Sequence, residues 1–159
     1  MKYQNAIVLF MVVLLWALAD GCSSKPPSDE ELLTSATTHH GNDEFDAALT
    51  DFRKLTQLYP KSDKVPEALY AMGVIYQDTK KEYKAAESLY TKLVLNFPGD
   101  PTAMSAAYQR ARILAWNMHQ PDSAKAAYEF FLQRYPDAMT VPSAQQELDS
   151  LKTTLIQAK

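Results

Sequence analysis

Side-chain catalysis needs a nucleophile beside a base, a pair of poised carboxylates or a cluster of metal ligands, and this chain offers few residues for any of these. It has 3 histidines and 1 cysteine in 159 residues. His39 and His40 are the one constellation of suitable types side by side. On a helix, neighbouring residues point about 100° apart, so the two would not converge on one ion. They read as a pair of exposed histidines at a helix end. The 4 glycines, Gly21, Gly41, Gly73 and Gly99, are too dispersed to form a phosphate-cradling loop. No nucleophile has an activating base in its neighbourhood, and no metal-ligand spacing occurs. The expectation is no catalysis, no metal, no cofactor and no small-molecule substrate.

Charge narrows the field further. The formal net charge is −3, and Lys and Arg are scattered rather than gathered into a stripe. That distribution argues against binding a phosphate backbone. The acidic clusters Asp29-Glu30-Glu31 and Asp43-Glu44 suit helix N-termini, where the macrodipole favours negative charge. What remains is recognition of another protein, for which Tyr, Trp and Arg are the residues that most often dominate the energy.

The elements that would position such residues are set by a repeat. Ala48, Phe52, Leu55, Tyr59 and Pro60 recur 38 residues later as Ala86, Tyr90, Leu93, Phe97 and Pro98, and again as Ala124, Tyr128, Phe131, Tyr135 and Pro136. Within each copy the spacing of four, three and four puts the apolar residues on one helical face, and the proline stops the helix. A second helix recurs between the copies: Ala68, Tyr70 and Ile75 answer to Ala106, Tyr108 and Ile113, and Gly73 to Ala111. Each unit is therefore a pair of antiparallel helices, and a period of this length means stacked copies.

The stretch from Ala68 to Tyr76, followed by Ala86, Tyr90, Leu93 and Pro98, resembles the tetratricopeptide repeat (TPR), a 34-residue helical hairpin. Against that pattern one extra residue falls in the turn between Gly73 and Ala86, and three in the connection from Pro60 to Ala68. The long Tyr/Phe-Pro connection resembles the BamD-type lipoproteins of the outer-membrane assembly machine and the TPR domain of CpoB-type proteins. The resemblance covers residues 29 to 157 and implies an all-α solenoid of about three and a half repeats and seven helices: 29–60, 61–98, 99–136, then a capping helix at 140–157. In that cap the tyrosine position holds Gln146 and the glycine position Asp149, as an outer face meeting water requires.

The resemblance also implies a groove lined by the first helices, which takes an extended or helical segment of a partner protein. Its positions fall on Glu67, Tyr70, Val74, Gln77 and Asp78 in the second repeat. In the third they fall on Ser105, Tyr108, Arg112 and Trp116, and in the first on His39 and His40. Tyr70 and Tyr108 fit either the groove wall or simple helix-on-helix packing, since a tyrosine can bury its ring and keep its hydroxyl wet. Trp116, near a helix end, is expected to be partly exposed.

The first residues read as an export signal. Lys2 precedes an uninterrupted apolar run from Ala6 to Ala19, a length suited to a signal core and short of the ~20 residues that span a bilayer. Ala19-Asp20-Gly21-Cys22 follows and resembles a bacterial lipobox. It implies cleavage after residue 21, lipidation (palmitate) of Cys22, and a short tether over 22–28. The alternative is an uncleaved signal anchor with Cys22 as an incidental thiol. The expected object is a non-catalytic TPR lipoprotein on the periplasmic face of the outer membrane, docking other envelope proteins in β-barrel assembly. Alternatives are a secretin pilot, a CpoB-like envelope-division partner and, from another class, an accessory subunit of a cell-wall enzyme.

Local signals set the helix ends. Ser28 or Asp29 can cap the first helix, Ser62 or Asp63 the third, and Asp100-Pro101 the fifth. Gly41-Asn42-Asp43 is turn chemistry, and Gln120-Pro121-Asp122 opens the sixth helix. The seventh begins near Thr140.

Overall fold

The computed structural model describes residues 25–157. The export signal expected at 1–21, the lipidation expected at Cys22 and the first residues of the expected tether lie outside the described residues. Seven helices follow one another, with no strand among the described residues: α1 (Asp29–Gly41), α2 (Phe45–Leu58), α3 (Val65–Val74), α4 (Tyr83–Asn96), α5 (Pro101–Arg112), α6 (Pro121–Arg134) and α7 (Val141–Gln157). Each odd-numbered helix packs antiparallel on the next, giving three hairpins and a terminal helix. The fold is a helical solenoid of the tetratricopeptide kind.

The recurrent residues build its core. Ala48, Phe52, Leu55, Ala86, Tyr90, Leu93, Ala124, Tyr128 and Phe131 are all at 0 % exposure. Small and aromatic residues at helical spacing let the two helices of a hairpin approach and interdigitate. Each large side chain so buried stabilises the fold by about 1.5–3 kcal/mol. Tyr59, Phe97 and Tyr135 end α2, α4 and α6 in the same way. Each leaves the helical region, with φ of −126°, −133° and −129°. The proline that follows forbids the helical conformation at these positions.

The N-terminus of α1 is held by a capping box: the Ser28 hydroxyl accepts the Glu31 N–H at 3.2 Å, and the Glu31 carboxylate accepts the Ser28 N–H at 2.7 Å. At α5, Asp100 accepts the Thr102 N–H, as its position before Pro101 predicts. The start of α3 differs from expectation. Lys64 holds the cap position without a side-chain cap bond. The Ser62 hydroxyl is already committed, donating to Asp29 at 2.6 Å and accepting the Lys64 N–H at 3.2 Å. It joins the start of α1 to the α2–α3 connection instead.

The extra residue of the second and third hairpins also sits elsewhere than the turn. It is absorbed inside the first helix, where α3 continues as a π-helical stretch over Ile75–Lys80 and α5 over Ile113–Asn117. The Met118 N–H bonds to the Ile113 carbonyl five residues back. Widening a helical turn takes up one residue without breaking the backbone ladder. After each first helix the chain turns through a left-handed residue at the same point of the repeat: Asp43 (φ 61°), Lys81 (φ 56°) and His119 (φ 52°).

Candidate peptide-docking site

The repeat carries Tyr70 and Tyr108 to equivalent points on adjacent first helices, and α3 packs directly on α5. Between them opens a trough of about 280 Å³ lined by Tyr70, Met104, Ser105, Tyr108, Gln109, Met139 and Thr140. Three of the residues that the sequence assigns to a groove therefore meet in one cavity. Both tyrosines are half-buried, with their rings packed against the core. Burial pushes the phenol of Tyr70 up from its ordinary value, against a hydrogen bond to Ser105. Burial also raises that of Tyr108, helped by the Glu147 carboxylate and opposed by Arg112.

The cavity mixes apolar surface with polar anchors. Met104 is half-buried, while Met139, in the connection before α7, is 96 % exposed. Thioethers adapt to irregular partners and contact aromatic rings favourably. Gln109 Oε1 is buried without a hydrogen-bond partner among the described residues. An unsatisfied buried acceptor costs about 1–3 kcal/mol.

At the far side of Tyr108, one carboxylate gathers three partners. Glu147 of α7 accepts the hydroxyl of Tyr108 at 3.2 Å through Oε1 and that of Tyr128 through Oε2. Arg112 lies with its guanidinium carbon 5.9 Å from the Tyr108 ring centre and its Nε 3.7 Å from Glu147. Burial first, then the bond to Glu147, drives the Tyr128 phenol far above its usual range. This knot fixes the Tyr108 ring at the trough edge.

The remaining groove candidates are placed variously. Trp116 sits on the π-helical turn after α5, 52 % exposed. Glu67 and Asp78 are exposed, and Val74 is half-buried. Gln77 is spent inward, accepting the Tyr90 hydroxyl at 3.2 Å. The two histidines serve the first hairpin. His39 contacts Glu44 through Nδ1 and stands 3.8 Å from Asp51 through Nε2. The His40 ring packs edge-on against Phe45 at 5.9 Å. Neither lines the trough.

Sequence reasoning missed Met104, Gln109, Met139, Thr140 and Glu147. The available signal for Glu147 was faint: it lies one repeat after Gln109, beside Gln146, which takes the tyrosine position. Among the described residues no group of three or more His, Cys, Asp or Glu could hold a metal ion. No helix among them is long and apolar enough to cross a membrane.

Stacked helical hairpins with a trough along their first helices are the architecture of a protein-interaction module. Residues 67–100, from Glu67 in α3 to Asp100 before α5, match the family model of the tetratricopeptide repeat. None of the curated proteins compared with the chain matches it.

Proposed function

We propose that this protein is a lipid-anchored docking subunit of the bacterial cell envelope. It holds a segment of another envelope protein against Tyr70, Ser105 and Tyr108, in the service of outer-membrane β-barrel assembly. The observation that carries the docking reading is the trough itself, in which two half-buried tyrosines and two methionines surround space for a partner side chain. A peptide entering it gains apolar burial from the rings and thioethers. The envelope setting rests on the sequence: the apolar run before Cys22, the single cysteine at its end and the short Pro-bearing tether. More than one acyl chain would make the anchoring stable.

Site-specific photo-crosslinking tests the docking face. A benzophenone amino acid at Ser105 or Thr140 is expected to capture one envelope protein in living cells, and the same probe at exposed Asp122 on α6 is not. Equal capture from all three positions would overturn the assignment. The anchor is tested by labelled palmitate uptake, expected for the native chain and lost in Cys22→Ser. A barrel-assembly role predicts that depletion lowers the amount of folded barrel protein in the outer membrane, read by heat-modifiable gel mobility.

A further inference from the structure

The chain enters the solenoid along one edge of the stack. Because the hairpins are antiparallel, the start of α1, the ends of α2, α4 and α6 and the starts of α3, α5 and α7 share that edge. A recurring bond keeps the row in line. The Tyr59 hydroxyl at the end of α2 donates to the Pro27 carbonyl at 2.8 Å, and the Tyr135 hydroxyl at the end of α6 donates to the Pro98 carbonyl at 3.5 Å. Pro27 therefore plays for the first hairpin the part that the Pro98 connection plays for the third. From Pro27 onward the entering chain belongs to this edge.

Exposed apolar side chains collect on the same edge. Leu58 in the last turn of α2 is 53 % exposed, Leu95 in the last turn of α4 is 70 % exposed, and Met139 stands just before α7. Phe130, towards the end of α6, is exposed as well and shares with Leu95 and Val94 a recess of about 170 Å³. The other two exposed large apolar residues, Trp116 and Ile156, lie towards the opposite edge. The repeat does not require these residues. At the position of Leu58 the other hairpins carry Asn96 and Arg134, at that of Leu95 they carry Gln57 and Gln133, and at that of Phe130 they carry Lys54 and Lys92. The carboxylates of the edge are drawn towards protein donors: Asp29, Glu30 and Asp63 lie within 3.8 Å of the Lys64 ammonium, and Asp100 caps α5.

We infer that this edge rests on the lipid surface, with Leu58, Leu95, Phe130 and Met139 reaching among the headgroups and the first acyl carbons. The orientation rests on the membrane-anchored reading of the residues before Lys25, and it holds whether acyl chains on Cys22 or the apolar run from Ala6 to Ala19 supply the anchor. From Cys22 to Pro27 the chain spans at most about 18 Å. The edge that carries Pro27 is therefore the part of the solenoid held nearest the bilayer, where a second, weak contact forms at high effective concentration. Apolar side chains that leave water there gain in proportion to the area buried. Side chains spaced along a row suit a fluid surface, which conforms to each of them, whereas a folded partner needs one continuous patch. Met139 also borders the docking trough, so a segment bound there lies beside the bilayer.

The test uses the full chain, purified from bacterial membranes in detergent and returned to vesicles of phosphatidylethanolamine and phosphatidylglycerol. An environment-sensitive fluorescent amino acid replaces Leu58, Leu95 or Met139 on this edge, or Trp116 or Asp122 on the other, one at a time. Lipids with a spin-label quencher high on the acyl chain are expected to lower the emission twofold or more at the first three positions and to leave the last two unchanged. Leu58→Asp/Leu95→Asp should still float with the vesicles and should lose the quenching at position 139, while Leu58→Met/Leu95→Met keeps it, which separates a lost lipid contact from a misfolded variant. A chain that floats yet is quenched equally at both edges, at neither, or without regard to the Asp substitutions overturns the orientation and leaves the anchor reading standing. A chain that does not float overturns the anchor reading and the orientation with it. Capture of one protein in living cells by a benzophenone amino acid in place of Leu95 would assign the edge to a protein partner and overturn the lipid contact.

Discussion

The second and third hairpins are built on one template and solve the same packing problem differently. In the second, Gly73 lies so close under the Tyr90 ring that an added Cβ would stand 2.4 Å from its Cε1. The Tyr90 hydroxyl then ends on neutral Gln77, three residues along from Val74 in the same hairpin. In the third, Ala111 takes the glycine position, and the Tyr128 hydroxyl reaches Glu147 on the following helix. The inward tyrosine is thus a local tie in one repeat and a charged link to the next repeat in the other. A shared repeat pattern sets which side chains are buried; the identity of the hydroxyl's acceptor decides whether the repeat is sealed on itself or bolted to its neighbour.

This contrast can be broken by substitution. Tyr128→Phe removes a donor from an ionised, partly shielded carboxylate, so a loss of about 1.5–3 kcal/mol in urea unfolding is expected. Tyr90→Phe removes a neutral bond, for a loss of about 0.5–1.5 kcal/mol. Equal losses would show that the charged acceptor adds nothing. Gly73→Ala forces the Tyr90 ring to move and is expected to cost about 1–3 kcal/mol. Ala111→Gly, the reverse exchange, costs about 1 kcal/mol through helix propensity alone. A Gly73→Ala protein as stable as the native one would mean the ring can shift freely.

The same pair sharpens at alkaline pH. Burial raises the phenols of both Tyr90 and Tyr128 above their ordinary value. A group whose folded value is raised contributes stability that is full below its unfolded value and is lost as pH rises through the folded one. Stability should therefore hold to about pH 10 and fall above it, less steeply in a Tyr90→Phe/Tyr128→Phe protein. The first hairpin supplies the acid counterpart. Burial pushes the Asp51 carboxyl up, but hydrogen bonds from Lys54 and Ser35 outweigh it and hold the group below its ordinary value. Its contribution is present above pH 3.8 and lost as pH falls through the lower folded value. Asp51→Asn should flatten that limb of a pH-stability curve.

The smallest effect concerns the three left-handed turn residues. Lys81→Gly and His119→Gly relieve a backbone conformation that L side chains occupy at a cost, with the flexibility of unfolded glycine acting against the gain. A stabilisation of about 0.5 kcal/mol at each is expected, read as a raised urea midpoint.

Much of the architecture was legible in the residues because it depends on short-range spacing. The step of 38 located all nine fully buried positions of the second helices, and the prolines located their ends. The trough was legible in part. Tyr70, Ser105 and Tyr108 meet because the repeat dictates where they point. Glu147 was not legible, since its role depends on α5, α6 and α7 converging, and no local periodicity encodes that. Ser62 misled for a related reason: a hydroxyl before a helix is an N-cap by local rule, but here Asp29, 33 residues earlier, claims it. The extra residue that the repeat pattern assigns to the turn between Gly73 and Ala86 lies within a π-helical stretch instead, because periodicity reports that a residue is extra, not which hydrogen bonds stretch to hold it.

The fastening of the chain where it joins the solenoid has a mechanical meaning. The Tyr59 hydroxyl grips the Pro27 carbonyl at 2.8 Å, and Ser62 and Lys64 reach Asp29 at 2.6 and 3.8 Å. Tension applied ahead of Pro27 is shared at once with the far end of α2 instead of peeling α1 away turn by turn. A tug from that side loads the first hairpin as a unit.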